Sequence, residues 1–364
     1  MKLRFSKEKF LDGLQQVQNV VSSRSTLPIL SNALIRASKD GVTLSTTDLD
    51  LGVRCSIEAE VIREGATTLP ARRLFTIIRE LAHSEVEMEV DDKNIATIQC
   101  GGSHFKIVGL PESEFPQLPK LAGAKSFTVD QKVLKDALKK TSYAMSTDET
   151  RYVLNAILLN LKDDKLVVVA TDGRRLALVE YELDLPKGTH GDLLVPCKTV
   201  TEVLRLLKDK GTVTISFTEN QISFEMDGTQ LVSKLVEGNY PNYRQVIPNE
   251  TKERISLERE TFHLAMRRAS LLVSEKNHAV KLFFSKNNLS ITANSPDVGE
   301  SRESLAINYK GPEITIGFNP DFMMDPLRNL ENDEIFFELT DELSPGVLKI
   351  NGPFLYVIMP LRVS

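Results

Sequence analysis

The sequence lacks the features that would place the protein in a membrane or mark it for secretion. No run of eighteen apolar residues occurs, so no membrane-spanning helix is expected. The first residues, MKLRFSKEKFLDGLQQVQ, carry charges throughout and have no apolar h-region, which argues against a signal peptide. Cysteine is scarce as well, and the three that occur, Cys55, Cys100 and Cys197, are widely spaced. Their odd number predicts reduced thiols in a cytoplasmic protein rather than a disulfide framework.

Motifs of catalysis and metal binding are also missing. The sequence contains no GxxxxGK(S/T), GxGxxG, GxSxG, HExxH or CxxC. Its 5 histidines are scattered without ligand spacing, and its carboxylates fall on turns and polar helix faces, as solvated groups do. We therefore expect a protein without enzymatic activity, cofactor or metal, although a site assembled across domains stays open.

A surplus of positive charge is lacking too. Lys and Arg number 45 against 50 Asp and Glu, for a formal net charge of -5. A protein that gripped DNA with its whole surface would be basic, so composition alone does not indicate nucleic-acid binding. A hydrophobic content of 41% over 364 residues is typical of a globular protein with two or three cores.

What the sequence does contain is a threefold internal repeat. The stretches KLRFSKEKFLDGLQQVQNVVS, KSFTVDQKVLKDALKKTSYAMS and RISLERETFHLAMRRASLLVS each run from an alternating strand into an amphipathic helix. A second anchor recurs in register in TTLPARRLFTIIREL, LLVPCKTVTEVLRLL and ITIGFNPDFMMDPLRNL. Each unit of about 120 residues thus has two helices packed on antiparallel strands. The sequence predicts an α+β protein of three tandem similar domains, 1–123, 124–250 and 251–364, separated by proline-rich joints.

Positive charge concentrates on the repeat helices. The cations there are Arg72, Arg73, Arg79, Lys132, Lys135, Lys139, Lys140, Lys198, Arg205, Lys208, Arg267 and Arg268, with Lys210 and Lys276 just beyond their helices. Acids cluster elsewhere, for example in LENDEIFFELTDE. If equivalent helices line one surface, that surface is basic in an acidic molecule. The alternative is a set of ordinary solvated helix faces.

The stretch VVATDGRRLALVEY places two arginines, Arg174 and Arg175, just after an Asp-Gly turn between two apolar runs. It does not fit a phosphate loop, because it bends from strand to strand rather than opening a helix. Local sequence leaves a plain hairpin with solubilising charges as the alternative to a binding rim.

Several longer stretches carry a resemblance to a known family. They are RSTLPILSNALI, TRYVLNAILLNL, ATDGRRLALVEYEL, SKLVEGNYPNYRQVIP, ITANSPD and YVIMPLRVS. Over its whole length the chain resembles the bacterial DNA polymerase III β subunits, the sliding clamps. The resemblance implies a DNA-clamp fold and a head-to-tail homodimer closing a ring of six similar domains. Helices would line the hole, so the ring would encircle double-stranded DNA through backbone contacts, without sequence preference, as a processivity factor.

The resemblance also implies where DNA and the second chain bind. Together with the basic helices it predicts a DNA-binding set of Arg24, Arg72, Arg73, Tyr152 and Lys198. Val153 and Asp148 depart from residues found in some relatives, which bears on single-strand contacts. The apolar dimer contacts would be Phe105 on one chain and Leu271 and Leu272 on the other, with intradomain core as the alternative.

The resemblance further implies a groove for short linear peptides of the Gln-x-x-Leu-Phe type, carried by the DNA polymerase III α subunit, the clamp loader, other DNA polymerases and repair proteins. The predicted groove residues are Leu154, Thr171, Gly173, Arg174, Arg175, Leu176, Pro241, Val246, Val357, Met359, Pro360, Leu361 and Arg362. Apolar members would seat the peptide, whereas Thr171, Gly173, Arg175 and Arg362 would form a polar rim. Two other classes stay open, a nucleotide-processing enzyme with cross-domain sites and a scaffold that binds peptides but not DNA.

Overall fold

The computed structural model describes residues 1–21, 27–119, 121–274 and 278–362. Helices in these ranges are short, and each is amphipathic, as the sequence periodicity predicts. The α-helices are α1 (Lys7–Val17), α2 (Ala71–Glu80), α3 (Gln131–Thr141), α4 (Cys197–Leu206), α5 (Arg259–Ala269) and α6 (Pro320–Asn329). In the described part of the chain no helix is long and apolar enough to cross a membrane.

The remaining regular structure is strand, and the order of elements repeats three times. The first repeat has β1 (Lys2–Ser6), β2 (Asn32–Ser38), β3 (Gly41–Thr47), β4 (Leu51–Ile57), β5 (Glu60–Arg63), β6 (Gly65–Pro70), β7 (Glu85–Val90), β8 (Ile95–Cys100) and β9 (Ser103–Val108). The second has β10 (Lys125–Asp130), β11 (Ala156–Lys162), β12 (Lys165–Thr171), β13 (Arg175–Glu182), β14 (Gly191–Pro196), β15 (Thr212–Phe217), β16 (Gln221–Met226) and β17 (Thr229–Lys234). The third has β18 (Glu253–Glu258), β19 (Val280–Ser285), β20 (Asn288–Ser295), β21 (Gly299–Ala306), β22 (Ile314–Phe318), β23 (Glu334–Leu339), β24 (Gly346–Lys349) and β25 (Phe354–Ile358).

This order confirms the predicted α+β repeat. In every copy the first strand runs directly into the first helix, as β1 into α1, β10 into α3 and β18 into α5. The second anchor behaves in the same way, with β6, β14 and β22 leading into α2, α4 and α6. The first copy has one strand more than each of the other two, because β5 turns back to pair with β1.

The strands form four antiparallel sheets in two compact units. One unit, Met1–Leu134 with Thr201–Leu235, contains the sheets β5-β1-β7-β8-β9 and β10-β15-β16-β17-β4-β3-β2-β6. The other, Lys135–Val200 with Val236–Ser364, contains β14-β11-β12-β13-β25-β24-β23-β18 and β21-β20-β19-β22. Each eight-stranded sheet therefore joins strands of two consecutive repeats, through β17 with β4 and through β13 with β25. Because hydrogen bonds cross the repeat boundaries, the compact units divide the second repeat, and the domain limits predicted from sequence stay predictions.

Apolar helix faces form the core of the first unit. Helix α1 buries Phe10, Leu14 and Val17 completely against β3 and β4. At Gly13 the helix approaches so closely that a Cβ there would collide with the side chain of Ile57. Each fully buried large side chain contributes roughly 1.5–3 kcal/mol to folding.

Aromatic packing is concentrated in the core of the second unit. The rings of Phe318 and Phe337 meet edge to face with centroids 5.7 Å apart, and Phe284 stacks on Phe337 at 6.1 Å. Both helices beside them have side-chain caps. The Glu258 carboxylate accepts from the first backbone amides of α5, and the Asn319 side chain does so for α6. These caps satisfy amide donors that a helix start leaves unpaired.

Candidate functional sites

The hairpin between β12 and β13 is held by hydrogen bonds of its own turn. The hydroxyl of Thr171 donates to the carbonyl of Arg175 at 2.6 Å, and the carboxylate of Asp172 accepts from the amides of Arg174 (2.8 Å) and Arg175 (3.1 Å). Gly173 has φ +86, a left-handed conformation that favours glycine. The turn is thus a rigid feature with its backbone at the surface.

The two arginines of this hairpin differ in environment. Arg174 is exposed, whereas the Arg175 side chain is only 9% exposed and pairs with Asp172 at 3.1 Å and with Asp325 of α6. Its guanidinium also donates to the carbonyl of Tyr143 at 2.6 Å and lies over the Phe322 ring, 4.3 Å from the centroid. Arg175 is thus largely buried and paired with α6, and its predicted place in the polar rim of the groove stays a prediction. Its charge is used to join the hairpin to α6.

The groups around Arg175 stabilise the charged form of its side chain. Burial by itself lowers the pKa of Arg175, but the interactions with Tyr356, Asp325 and Asp172 outweigh burial and raise that pKa above its ordinary value. Burial also raises the pKa of Tyr356, whose hydroxyl donates to the carbonyl of Phe322 at 2.6 Å. The cluster is a fixed ion-pair network.

The segment that follows β25 lies beside this hairpin. The amide of Met359 donates to the carbonyl of Arg174 at 2.9 Å, and the amide of Leu361 donates to the carbonyl of Gly317 at 2.8 Å. These two bonds hold the segment extended while its apolar side chains stay accessible. Met359 is 42% exposed and Leu361 is 39% exposed, whereas Pro360 is half-buried. Arg362 is exposed at the end of the described chain.

A buried apolar layer lies beneath these exposed side chains. Leu176 of β13 pairs with Val357 of β25, and both belong to a cluster with Leu158 and Val169. Leu154, at 9% exposure, is buried too. The predicted groove residues thus divide into two layers. Leu154, Leu176 and Val357 are buried, and Val246, Met359 and Leu361 present apolar surface to solvent.

The proline-rich joint after β17 contributes the other side of the predicted groove, facing the segment after β25. Tyr240, Tyr243 and Ile247 pack against the buried cluster, while Pro241 is exposed and Val246 is 48% exposed. Sequence reasoning missed the two tyrosines, although NYPNY places two aromatic residues in a joint that otherwise reads as a linker.

The joint after β17 and the segment after β25 border a shallow depression. Val246 of the joint and Met359 of the segment after β25 line one depression of about 460 Å³. All of the predicted groove residues lie within the second unit, but only Val246 and Met359 line this depression, so the full groove stays a prediction.

The predicted DNA-binding residues lie on several elements. Arg24 lies outside the described residues. Arg72 and Arg73 are both exposed in the first turn of α2, where Arg72 donates to the carbonyl of Val21 at 3.4 Å. Both arginines present their guanidinium groups at the protein surface.

The second unit supplies two further members of this set. Tyr152 is 62% exposed just before β11, and Lys198 is exposed in the first turn of α4. Asp148 is occupied in a turn, since its carboxylate accepts from the amide and hydroxyl of Thr150 at 2.9 and 2.7 Å. Hydrogen bonding from the Thr150 side chain lowers the pKa of Asp148. Val153, beside the exposed Tyr152, is half-buried.

Part of the basic charge on the helices is neutralised within the chain. Lys140 of α3 pairs with Asp136 at 2.6 Å, and Lys139 pairs with Glu331 at 3.1 Å. Arg268 of α5 donates twice to the carboxylate of Glu303 on β21, at 3.0 and 2.6 Å. The surfaces of the repeat helices are therefore less cationic than the number of lysines and arginines in those helices suggests.

The predicted dimer contacts lie at sheet edges. Phe105 is 37% exposed on β9, which is the last strand of its sheet. In the second unit Leu271 is 74% exposed and Leu272 is half-buried in a short 3-10 helix, Ser270–Leu272, that contacts β21. β21 is likewise the last strand of its sheet. Intradomain core does not account for Phe105 and Leu271, because both present apolar surface to solvent.

Comparisons with known proteins agree over the whole chain. Three family models of the DNA polymerase III beta subunit match in order, the N-terminal domain over residues 1–119, the central domain over 128–242 and the C-terminal domain over 244–362. The chain is 35% identical to the beta sliding clamp of Chlamydia muridarum, with 100% of this chain and 99% of that protein covered.

Solved structures show the same agreement. The sliding clamp of Bacillus subtilis has a TM-score of 0.96 at 31% identity, and that of Bartonella birtlesii, bound to griselimycin, has 0.95 at 37% identity. Each comparison covers 100% of both chains.

Proposed function

Because the chain belongs to the DNA polymerase III β subunit family, the β sliding clamps, we propose that it encircles duplex DNA as a homodimeric ring and tethers replication proteins to that DNA. The observation that carries the proposal is the match of the three family domains, in order, over nearly all of the sequence. An encircled duplex slides through a closed ring but cannot leave it sideways. Processivity then follows from topology rather than from tight binding.

Closure of the ring is proposed to come from a head-to-tail contact between the first and third repeats. Two features support it, the position of β9 and β21 at sheet edges and the exposure of Phe105 and Leu271 beside them. Strand edges carry unpaired backbone groups that are suited to pairing with another chain. Repeated by a twofold axis, such a contact uses both edges of both chains and closes.

DNA is proposed to be held through its phosphates. The cations proposed for this role include Arg24, Arg72, Arg73 and Lys198, with Tyr152 as an exposed aromatic contact. Exposure of the members that the structure describes supports the assignment. Phosphate contacts carry no sequence information, so the affinity would be sequence-independent and would fall with salt.

Partner proteins are proposed to bind in the groove between Val246 of the joint and the segment Met359–Arg362. An extended peptide of the Gln-x-x-Leu-Phe type offers two apolar side chains for such a site, and methionine adapts to varied partners. The candidates are the DNA polymerase III α subunit, the clamp loader, other DNA polymerases and repair proteins. An affinity near 1 μM, about -8.2 kcal/mol, suits partners that exchange on one clamp.

We propose a non-catalytic role in the cytoplasm, where bacterial DNA is replicated. The sequence contains none of the short nucleotide-binding or hydrolase motifs, which supports a passive tether. Incubation with nucleotides, primed DNA and divalent metal is expected to give no turnover above the blank. Hydrolysis that co-purifies with the protein and changes on mutation would favour the nucleotide-processing alternative.

Retention on circular DNA tests the ring itself. The protein is loaded with a bacterial clamp loader and ATP onto nicked circular plasmid, and the complex is separated by gel filtration in moderate salt. We expect co-elution with circular DNA and loss after a single restriction cut. A scaffold that does not encircle DNA would show no difference between the two forms.

A further inference from the structure

The first unit has a cleft that the proposed function does not use. It lies between strands β2, β3 and β4 and the segment that follows β9, and its volume is about 570 Å³. Its lining includes Leu34, Arg36, Ser45, Arg54, the carboxylate Glu112 and Leu118.

Strand register shows that this cleft is the first-repeat counterpart of the apolar layer beneath the proposed groove. Leu34 of β2 pairs with Ser45 of β3, and Ser45 pairs with Arg54 of β4. In the second repeat the same register joins Leu158 of β11 to Val169 of β12 and Val169 to Leu178 of β13. An apolar row in one repeat is therefore a row containing a serine and an arginine in the other.

The apolar part of this counterpart is already filled from within the chain. Leu118 lies on Gly52 so closely that any Cβ at that position would collide with its side chain. Phe115 is buried as well, packing with Ile29, Leu30 and Leu34. Leu118 and Phe115 therefore cover much of the apolar surface of the cleft, and the part that stays open is mainly polar.

Arg54 supplies positive charge and hydrogen-bond donors to the open part of the cleft. Among the described residues its guanidinium has no ion-pair partner, and its single hydrogen bond is a long one of 3.4 Å from Nε to the hydroxyl of Ser45. Arg36 beside it is satisfied by the carboxylate of Glu112. A guanidinium carries five N–H donors in a planar arrangement that matches a carboxylate. Most of the hydrogen-bonding capacity of Arg54 is therefore unused.

The cleft also lies on the side of the sheet away from helix α1. Gly13 of α1 contacts Leu44 and Cys55, whose side chains alternate with those of Ser45 and Arg54 and therefore point to the opposite face. A duplex held by basic helix faces would not reach this cleft. A protein segment is thus a better candidate for the anionic ligand than nucleic acid.

We propose that the cleft is a second binding site, separate from the groove, that receives an acidic peptide segment, with a carboxylate of that segment paired to Arg54. The occupant is a partner protein's chain rather than DNA, and it is selected by charge instead of by two apolar anchors. Arg36 stays paired with Glu112, which also lines the cleft, so the net positive charge of the site comes from Arg54.

Fluorescence anisotropy of the full-length protein tests this site. The probe is fluorescein-labelled Gly-Asp-Leu-Asp-Glu-Gly, and its amide twin Gly-Asn-Leu-Asn-Gln-Gly reports binding that does not depend on charge. We expect Arg54→Gln to weaken the acidic probe about tenfold or more, because a charge-assisted hydrogen bond is removed. Arg63→Gln, an exposed arginine of the same unit paired with Glu89, is the matched control and should leave binding unchanged.

A second variant keeps the test independent of any folding defect at β4. Gln117 is exposed on the segment that lines the cleft, so Gln117→Glu adds a repelling charge without altering the sheet. It should also weaken the acidic probe, whereas binding of the Gln-x-x-Leu-Phe peptide should stay intact in both variants.

Four results would overturn the site. The first two are binding of the amide twin as tight as that of the acidic probe, and an unchanged affinity for the acidic probe in both variants. The other two are competition between the acidic probe and the Gln-x-x-Leu-Phe peptide, and a loss of duplex-oligonucleotide binding in Arg54→Gln that equals its loss of acidic-probe binding. Competition would place the acidic probe in the groove, and the loss of duplex binding would assign Arg54 to DNA. Either outcome leaves the proposed clamp function standing.

Discussion

The backbone amide of Met359 donates a 2.9 Å hydrogen bond to the carbonyl oxygen of Arg174. This bond ties the segment after β25 to the hairpin turn between β12 and β13, two stretches far apart in the sequence. It extends the pairing of β13 with β25 by one step beyond the strands themselves. The side chain of Met359 stays accessible as a result.

Deleting Met359 to Ser364 should abolish binding of a Gln-x-x-Leu-Phe peptide and leave the dimer intact. The deletion removes the exposed side chains of Met359 and Leu361 but none of the pairing within β25. Isothermal titration gives the affinity and native mass spectrometry gives the dimer. Ile62→Ala, at a 47% exposed isoleucine on β5 of the first unit, is the control and should bind normally. Unchanged affinity in the truncated protein would place the partner site elsewhere.

Replacing Leu271 and Leu272 by alanine should shift the protein from dimer to monomer. Each buried apolar side chain contributes roughly 1.5–3 kcal/mol, so the double variant should weaken association by about two to four orders of magnitude. Analytical ultracentrifugation over a dilution series measures the shift. Ile62→Ala, a 47% exposed residue on β5, is the control for general loss of apolar surface. A double variant that stays dimeric at nanomolar dilution would show that the interface lies elsewhere.

Neutralising Arg72 and Arg73 together should lower retention on DNA without changing sequence preference. For every phosphate that is no longer neutralised, the slope of log affinity against log salt should decrease in magnitude by about 0.9. Fluorescence anisotropy with duplexes of two unrelated sequences, over a salt series, gives both quantities. Arg63→Gln on β5 removes one charge outside the helices and should leave the slope unchanged. A preference for one duplex would contradict binding through the DNA backbone alone.

Arg175→Ala should destabilise the protein by about 3–5 kcal/mol, whereas Arg174→Ala should change stability by less than about 0.5 kcal/mol. The first substitution leaves Asp172 and Asp325 without their shared cation, and the second alters an exposed side chain. Urea unfolding followed by circular dichroism measures both. Arg175→Lys should recover only part of the loss, because an ammonium group cannot reproduce the fork that spans two carboxylates and a carbonyl. Equal stability of the two alanine variants would show that the network contributes little.

His263 on α5 should make stability fall as the pH drops just below 6.5. Desolvation, together with Arg328, Arg259 and Arg267, lowers its pKa in the folded protein, against a smaller opposing effect of Glu260. The unfolded chain therefore binds more protons in the window between the lowered pKa and the ordinary value near 6.5, and protons favour unfolding there. At higher pH the histidine is neutral in both states and this contribution is absent.

Comparison with His263→Gln isolates that effect. In the variant, the free energy of unfolding should no longer depend on pH in this window. The loss of stability at lower pH should remain. There, carboxylates such as Glu258, whose pKa is lowered by its hydrogen bonds to Thr261, become protonated. An identical pH profile in both proteins would assign the slope to other groups.

The amino-acid sequence by itself determined the local elements and their threefold recurrence. Helix and strand periods are properties of neighbouring residues, and strand alternation shows which face is apolar, so β1 into α1, β10 into α3 and β18 into α5 could be predicted. The stretches quoted above also carried the family resemblance, and with it the candidate residues. An Asp-Gly turn between apolar runs was enough to predict the hairpin at Gly173.

Tertiary structure alone decided which strands became neighbours and which charges were buried. Backbone hydrogen bonds between strands are identical in kind whatever the side chains, so periodicity could not indicate that β17 pairs with β4 or β13 with β25. The burial of Arg175 depends on Asp325, a residue brought near by folding of the third repeat. Likewise, two repeats that look alike in sequence differ in their clefts because Leu118 lies on Gly52 in the first, an arrangement set by packing between distant segments.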